Sequence, residues 1–212
     1  MTDPTTPQSQ PALDPALIAR VKGILLQPKS EWARIDGEFA TTNSLFTKYA
    51  MILAAVGPIA NLLGGQLIAM GGVRVPIVGA IIVALFSYAL SLGAVFIMGL
   101  VINALAPSFG GAPNKIQAMK VAVYSWTAFW LAGVFALVQP LIILSIVGLY
   151  SFYLLFVGLP VLMKVPEDKK LGYFAVVAVI GIVVYCIVAM ILGGIAMSFT
   201  MGAQLAAMSS GY

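Results

Sequence analysis

The segment LGYFAVVAVIGIVVYCIVAMILGGIAMSF, from Leu171 to Phe199, decides the fold class because it carries no charge over its whole length. A helix needs roughly 20 apolar residues to cross about 30 Å of hydrocarbon. This segment exceeds that length. Since lipid offers no hydrogen-bond partner to an exposed backbone, the segment is predicted to be a transmembrane helix.

The composition of the whole chain also indicates a membrane protein. Of its 212 residues, 61% are hydrophobic and 8% are charged, whereas a typical soluble domain carries about 25% charged residues. So few charges could not cover the surface of a compact globule in water. The chain has no histidine and a single cysteine, Cys186. This inventory excludes disulfide scaffolds, Cys/His zinc sites and histidine-based catalysis.

Four further apolar segments lie upstream, and the five predicted spans run approximately over 49–70, 76–105, 121–138, 141–163 and 171–199. The third and fourth are separated only by Gln139 and Pro140. Because proline cannot donate a backbone hydrogen bond and suits the first turn of a helix, these two spans are predicted to form a tight helical hairpin.

The positions of Lys and Arg predict the orientation of the chain in the membrane. With a cytoplasmic N-terminus and an external C-terminus, every Lys and Arg except Arg74 lies on the cytoplasmic side. This asymmetry agrees with the positive-inside rule.

The sequence before the first span is predicted to contain a helix that starts at Asp14 and Pro15. Arg20 and Lys22 flank its apolar arc. The arc comprises Leu17, Ile18, Val21, Ile24 and Leu25. Two interpretations remain open. Either the arc lies in the membrane interface, with Arg20, Lys22 and Trp32 contacting the membrane surface and its anionic lipid headgroups, or it packs on the cytoplasmic ends of the bundle.

The predicted fold class is therefore all-α: a polytopic membrane protein with a bundle of five transmembrane helices, preceded by a cytoplasmic, interfacial amphipathic helix. The predicted parts are a disordered tail over 1–13, an amphipathic segment over 14–40, a transmembrane domain over 41–200 and an external tail over 201–212.

Ionisable residues inside spans commonly mark proton relays and substrate paths, but this chain has none near the middle of a predicted span. From Phe39 to Pro166 it contains no Asp or Glu. We therefore expect neither an enzyme nor a proton-coupled transporter, with no catalytic residue, metal site or cofactor.

The net charge of +4 indicates attraction to anionic lipid. Nucleic acid is not an expected partner, because the interleaved aromatic and basic residues of single-strand binding are missing.

Uncharged polar residues in the predicted spans are candidates for a polar path through the bundle or for helix–helix contacts. They are Asn61, Ser87, Ser91, Asn103, Tyr124, Ser125, Tyr150 and Tyr153. Asn and Ser hydrogen-bond across contacts between membrane helices, and small residues four apart let such helices approach closely. Ordinary helix packing is the more common role of such residues.

A candidate cytoplasmic motif follows the fourth span and comprises Lys164, Pro166, Glu167, Asp168 and Lys169. Lys164 is predicted to end the fourth helix at the headgroups. The proline and the two acidic residues are predicted to start the fifth helix, where acidic side chains interact favourably with its positive end.

Three stretches carry a resemblance to a known family: RVKGILLQPKSEW (20–32), AVYSWT (122–127) and GLYSFYLLFVGLPVLMKVPEDKK (148–170). In this order they resemble the Yip family of Ypt/Rab-interacting membrane proteins, and specifically its bacterial branch. The resemblance covers about residues 16–200. It implies five helices, a cytoplasmic N-terminus, an external C-terminus and a bacterial inner membrane. Eukaryotic relatives are associated with prenylated Rab GTPases, but their long cytoplasmic N-terminal domain has no counterpart in this sequence, which argues against a Rab-binding role.

Two functions are compatible with these observations. One is a non-enzymatic scaffold that organises the membrane or recruits a partner through residues 14–39 and 164–170. The other is a passive channel or carrier for an ion, a lipid or a small molecule. Both functions are compatible with a homo-oligomer or a membrane-protein partner.

Overall fold

The computed structural model describes residues 15–67 and 75–209, so the predicted tail over 1–13 lies outside the described residues. Within these ranges every regular element is helical. Five stretches are long and apolar enough to cross a membrane. These are Thr42–Gln66, Ile77–Phe109, Lys115–Leu137, Pro140–Met163 and Lys170–Leu205, called spans 1 to 5 below. The prediction of an all-α membrane protein with five spans is confirmed.

Spans 1 and 3 start well before the predicted residues 49 and 121, because polar side chains cap their first turns. The Thr41 hydroxyl accepts a hydrogen bond from the Ser44 amide at 3.1 Å, and the Ser44 hydroxyl accepts one from the Thr41 amide at 3.0 Å. Asn114 Oδ1 accepts from the amides of Ile116 and Gln117, each at 3.1 Å. Such caps satisfy orphan donors at a helix start, so the helices begin in sequence that hydropathy alone assigns to loops.

Spans 3 and 4 form the tight hairpin that Gln139 and Pro140 predict. Val138 is extended, with φ −124° and ψ 108°, and its carbonyl accepts from the Leu141 amide at 2.8 Å. On either side of this turn the chain is wound as 3₁₀-helix, over Gly133–Leu137 and Gln139–Leu149. The more regular α-helical part of span 4 is Tyr150–Met163, which includes Pro160.

The last helix differs from the prediction at both of its ends. Lys164 adopts a left-handed conformation with φ 55°, which ends span 4. The Lys169 amide donates to the Pro166 carbonyl at 3.0 Å, so residues 166–169 form a turn and the last helix begins only at Lys170. That helix has 40 residues and ends at Ser209. The helix thus continues through 201–209, a range predicted from the sequence to belong to the tail after the last span.

Two helices precede the spans: α1 (Pro15–Leu26) and α2 (Pro28–Gly37). The helix α2 packs along Tyr150–Met163, and α1 packs on α2 and span 3. Leu17 and Ile24 of the predicted apolar arc are buried against the bundle. Of the two interpretations that the sequence left open, the structure supports packing of this arc on the helix bundle.

The bundle divides along its length into two halves that differ in burial and charge. The charged half comprises residues 15–53, 95–125 and 150–178, and it contains every Lys, Arg, Asp and Glu that the structure describes. The hollow half comprises 54–67, 75–94, 126–149 and 179–209. All of the largest fully buried side chains lie in the charged half: Trp32, Tyr173, Ile24, Ile35, Ile102, Met119, Leu154, Leu159, Leu162, Met163, Val95 and Val121.

Candidate functional site

A cavity of about 720 Å³ lies in the hollow half, and residues from all five spans line it. Most of its wall is aliphatic or aromatic. The residues with polar groups on the wall are Asn61, Gln66, Ser87, Ser91, Ser145, Tyr185, Trp126 and Trp130. Its volume falls within the range of about 300–1,000 Å³ that is typical of small-molecule sites. Among the described residues that line it there is no Lys, Arg, Asp or Glu.

The structure brings three of the predicted polar-path residues together on this wall: Asn61 of span 1 and Ser87 and Ser91 of span 2. Trp130 Nε1 of span 3 donates a hydrogen bond to Ser91 Oγ at 3.0 Å. The side chains of Asn61 and Ser87 make no hydrogen bond within the described part of the chain. Ser91 therefore serves a helix contact, while Asn61 and Ser87 offer free hydrogen-bonding groups to the cavity.

A layer of packed residues closes the cavity on the side of the charged half. On this side the wall ends at Ala54, Ala94 and Trp126. The residues next in sequence towards the charged half, Leu53 and Val95, are buried. The floor also contains a buried hydrogen-bond chain. The Thr127 hydroxyl donates to the Tyr124 carbonyl at 2.7 Å. Because its proton is used there, the Tyr49 hydroxyl donates to Thr127 Oγ1 at 2.8 Å.

The other five candidates for a polar path or a helix contact are not among the described residues that line this cavity. Tyr124 and Ser125 are buried in the core of the charged half. Tyr150 donates from its hydroxyl to the Leu25 carbonyl at 3.0 Å, and its ring lies 5.2 Å from that of Tyr153, which faces outward. Asn103 Oδ1 is buried without a hydrogen-bond partner among the described residues. Their spacing in the sequence is compatible with shared helix faces, but in the structure these residues lie at different depths of the bundle and on different faces of their helices.

A network of ion pairs and hydrogen bonds in the charged half fixes α1 and α2 to the spans. Arg20 forms ion pairs with Glu31 and Glu38, and its guanidinium lies 5.6 Å from the centre of the Tyr124 ring. Burial alone would lower the pKa of Arg20, but the hydrogen bond to Glu38 and the nearby carboxylates outweigh it and raise the pKa. Arg20 is therefore held in its charged form.

Lys120 of span 3 is the second anchor of this network. Only 3% of the residue is exposed, and its ammonium donates to the carbonyls of Ile35 at 2.8 Å and Glu38 at 2.6 Å. These carbonyls lie at the C-terminal end of α2, where a positive charge is favourable. The hydrogen bonds to the last carbonyls of α2 thus offset the free-energy cost of burying the Lys120 ammonium.

Trp32 is completely buried, so the prediction that it contacts the membrane surface is wrong. Its ring packs edge-on against Tyr124, with 6.3 Å between ring centroids. A Cβ atom on Gly158 would lie 2.7 Å from ring atoms of Trp32, so this glycine makes room for the indole. The same prediction is wrong for Arg20, which is paired inside the protein, whereas Lys22 is exposed.

The candidate cytoplasmic motif joins the loop between spans 4 and 5 to α2. Lys164 forms an ion pair with Asp36 of α2, and Glu167 pairs with Lys170. Pro166, Asp168 and Lys169 are exposed in the turn. Met163, the last residue of span 4, accepts at its carbonyl from the Ala112 amide at 2.8 Å, which ties this corner to the loop between spans 2 and 3.

The sequence patterns did not identify Glu31 and Glu38 as partners of Arg20, and they did not identify the aromatic residues of the cavity wall. Glu31 and Glu38 lie seven residues apart, a spacing that places them on one helix face, and this was the available signal for a shared partner. Trp126, Trp130 and Tyr185 on the cavity wall gave no such signal, because aromatic residues are common on lipid-facing and buried surfaces of membrane helices alike.

The five apolar spans, with a cap of two helices and no described charge in the hollow half, define a polytopic helical membrane protein. The Yip1 domain model matches residues 22–190, and the chain belongs to this family, as the three sequence stretches predicted. It is similar to the inner membrane protein YohC of Escherichia coli K12, with 24% identity over 176 residues, 79% of this chain and 90% of the relative. YohC of Escherichia coli O6:H1 matches with the same identity and coverage. No solved structure matches the chain.

Proposed function

We propose that this protein is a non-enzymatic scaffold of the bacterial inner membrane that organises anionic lipid around its charged half. The observation that carries the proposal is the network around Arg20 and Lys120, because it holds α1 and α2 in one fixed position on the bundle. A scaffold requires such a fixed surface, whereas a mobile tail presents no defined shape to a partner. The inner-membrane location is supported by the similarity to YohC, which is named an inner membrane protein.

The surface that α1 and α2 present is suited to a membrane interface. Lys22 and Lys29 are exposed, as are Leu26 at 75% and Phe39, just after α2, at 93%. These four residues are called the basic platform below. Lysines near a membrane surface attract anionic headgroups with about 1 kcal/mol each, and large apolar side chains insert between lipids at the interface. The platform thus combines the two attractions that peripheral lipid contacts use.

Clustering of anionic lipid tests this role. The full chain is reconstituted into vesicles that contain fluorescent phosphatidylglycerol, and energy transfer from a dye on the protein reports the local density of that lipid. We expect Lys22→Gln with Lys29→Gln to lower the energy transfer. The matched control is Arg74→Gln, which removes one base from the loop predicted on the opposite side of the membrane. Equal clustering by the double variant and the unchanged protein would contradict the proposal.

The proposed orientation places the charged half and the N-terminus in the cytoplasm. The support is that all described charges lie in one half of the bundle, as expected from the positive-inside rule. In a Cys186→Ala background, the thiol introduced by Asp168→Cys should react with an impermeant maleimide only after the cytoplasmic side is opened. Reaction in intact spheroplasts would reverse the orientation.

A passive channel or carrier has weaker support. The cavity favours it, since Asn61 and Ser87 face a void within the membrane-spanning region. However, Leu53, Val95 and Thr127, which lie next to cavity-lining residues in the sequence, are buried, and this burial argues against a path through one protomer. Ion flux or lipid flipping above the level of protein-free vesicles would favour this second function over the scaffold.

A further inference from the structure

The cavity of the hollow half has properties that do not follow from a scaffold role. Asn61 and Ser87 present hydrogen-bonding groups that no described residue uses. A polar group left unpaired in an apolar medium costs several kcal/mol. Since packing among the described residues leaves these two groups unpaired, a ligand that offers hydrogen-bonding atoms would stabilise the cavity when it is surrounded by hydrocarbon.

The rest of the wall restricts the chemistry of such a partner. The described lining residues include no Lys, Arg, Asp or Glu, so a charged group placed among them would have no counter-ion there and would be strongly disfavoured. The other amide and serine side chains of the wall are hydrogen-bonded within the protein, namely Gln66, Ser91 and Ser145, and the rest of the wall is mainly aliphatic and aromatic. Phe129 and Tyr185, which form part of it, contact each other edge to face with 5.7 Å between ring centroids. The partner is therefore uncharged, mainly apolar, and equipped with a few hydrogen-bonding oxygens.

The volume and position of the cavity point to a component of the bilayer itself. A void of about 720 Å³ has the size of sites that hold small amphiphiles. All five spans line it, at a depth of the bundle that contains no described charge. Molecules that dissolve in the bilayer reach such a depth at high concentration, whereas water-soluble metabolites do not.

We propose that this cavity binds an uncharged acylglycerol-like lipid, whose hydroxyl or ester oxygens hydrogen-bond to Asn61 and Ser87. Its acyl chain packs against the aromatic wall of Trp126, Phe129 and Tyr185. The binding is independent of the anionic headgroups that the basic platform attracts, because the two surfaces lie in different halves of the bundle.

The test uses a photoactivatable diacylglycerol in nanodiscs that contain the full chain. We expect crosslinks in the peptides that line the cavity, and a loss of these crosslinks when unlabelled diacylglycerol is added in excess. The negatively charged comparison probe is a photoactivatable phosphatidylglycerol with the same acyl chains. We expect this probe to label only lipid-facing surfaces.

Two tryptophan substitutions on neighbouring residues of span 5 separate the cavity from the lipid-facing surface. Ala189 lines the cavity, whereas Met190 faces outward with 69% exposure. Ala189→Trp should lower cavity crosslinking about tenfold, which corresponds to about 1.4 kcal/mol of binding, while Met190→Trp leaves it unchanged. If Ala189→Trp fails to fold, the competition with unlabelled diacylglycerol on the unchanged protein still tests the proposal. Crosslinks that resist the competitor, or equal labelling by the charged probe, would overturn the proposal.

Discussion

The charged half and the hollow half of this bundle are built from the same five spans, but different interactions hold them together. In the charged half, large side chains such as Trp32 and Tyr173 are fully buried, and Tyr173 donates from its hydroxyl to the Ile102 carbonyl. In the hollow half, small residues make the closest approaches. A Cβ atom on Gly133 would lie 2.7 Å from the Gly57 Cα. The spans there surround a cavity instead of a filled core.

The difference follows from the solvent that each half meets. The last helix, at 40 residues, is about 60 Å long, so it is longer than the hydrocarbon layer, which is about 30 Å thick. The charged half contains every Lys, Arg, Asp and Glu that the structure describes, so this half extends towards the water, where burial of apolar surface stabilises packing. Within hydrocarbon the hydrophobic effect does not draw helices together, and close contacts between small residues replace it. We infer that the charged half supplies most of the stability and that the hollow half is free to bind a ligand.

The largest expected effect is that of Trp32→Ala in the charged half. It removes a fully buried indole and should cost about 3–5 kcal/mol of unfolding free energy, as do large-to-small substitutions in close-packed cores. Thermal unfolding in detergent, followed by size-exclusion chromatography, measures the loss. The control is Phe39→Ala, because that ring is 93% exposed. Similar melting temperatures for the two variants would show that the charged half is not a packed core.

Arg20→Met should destabilise the protein by about 2–3 kcal/mol, because it leaves the mostly buried Glu31 carboxylate without its cation. Adding Glu31→Gln should recover part of this loss, since the uncompensated charge is then removed. Chemical unfolding of the two variants and of their combination gives the coupling energy. Arg34→Met is the control, since the Arg34 side chain is 71% exposed. Independent, additive effects of Arg20 and Glu31 would contradict the network.

Thr127→Val tests the floor that separates the two halves, with an expected cost of about 1–2 kcal/mol. The valine leaves the buried Tyr49 hydroxyl without an acceptor, and an unsatisfied buried donor carries a penalty of this size. Adding Tyr49→Phe removes that donor and should restore most of the stability. Thermal unfolding of the single and double variants measures both effects. An equal loss in the double variant would mean that the hydrogen bond between Tyr49 and Thr127 does not support the floor.

The sequence predicts the hydrophobic part of the fold better than its polar part. Five spans and the hairpin at Gln139 and Pro140 follow from apolar length and proline chemistry, which act locally. The starts of spans 1 and 3 were misplaced because Thr41 and Asn114 serve as caps, and a cap is recognised only once the following turn is known to be helical. The pairing of Lys120 with α2 joins residues more than 80 positions apart, and no local pattern specifies such a contact.

The candidate site was likewise predictable only where local sequence patterns determine it. Helical spacing placed Asn61 of span 1 on a polar face, and Ser87 and Ser91 of span 2 on another, and the structure brings the three residues to one cavity. Spacing could not exclude Tyr124 or Tyr150, because it does not report which neighbour covers a face. The apolar arc of α1 was ambiguous for a related reason. A lipid interface and a protein core bury the same residues, and only the tertiary contacts distinguish them.

The smallest expected effect is that of Asn61→Ala in the hollow half, with a change of no more than about 0.5 kcal/mol in the absence of added lipid. The Asn61 amide has no partner within the described chain, so the substitution removes no hydrogen bond among the described residues. Asn114→Ala is the matched comparison in the charged half, because it removes the cap of span 3 and should cost about 1 kcal/mol. Thermal unfolding in a lipid-free detergent measures the two variants side by side. If Asn61→Ala destabilises the protein as much as Asn114→Ala does, polar contacts hold the hollow half together as well, and the proposed division between a stabilising half and a binding half is wrong.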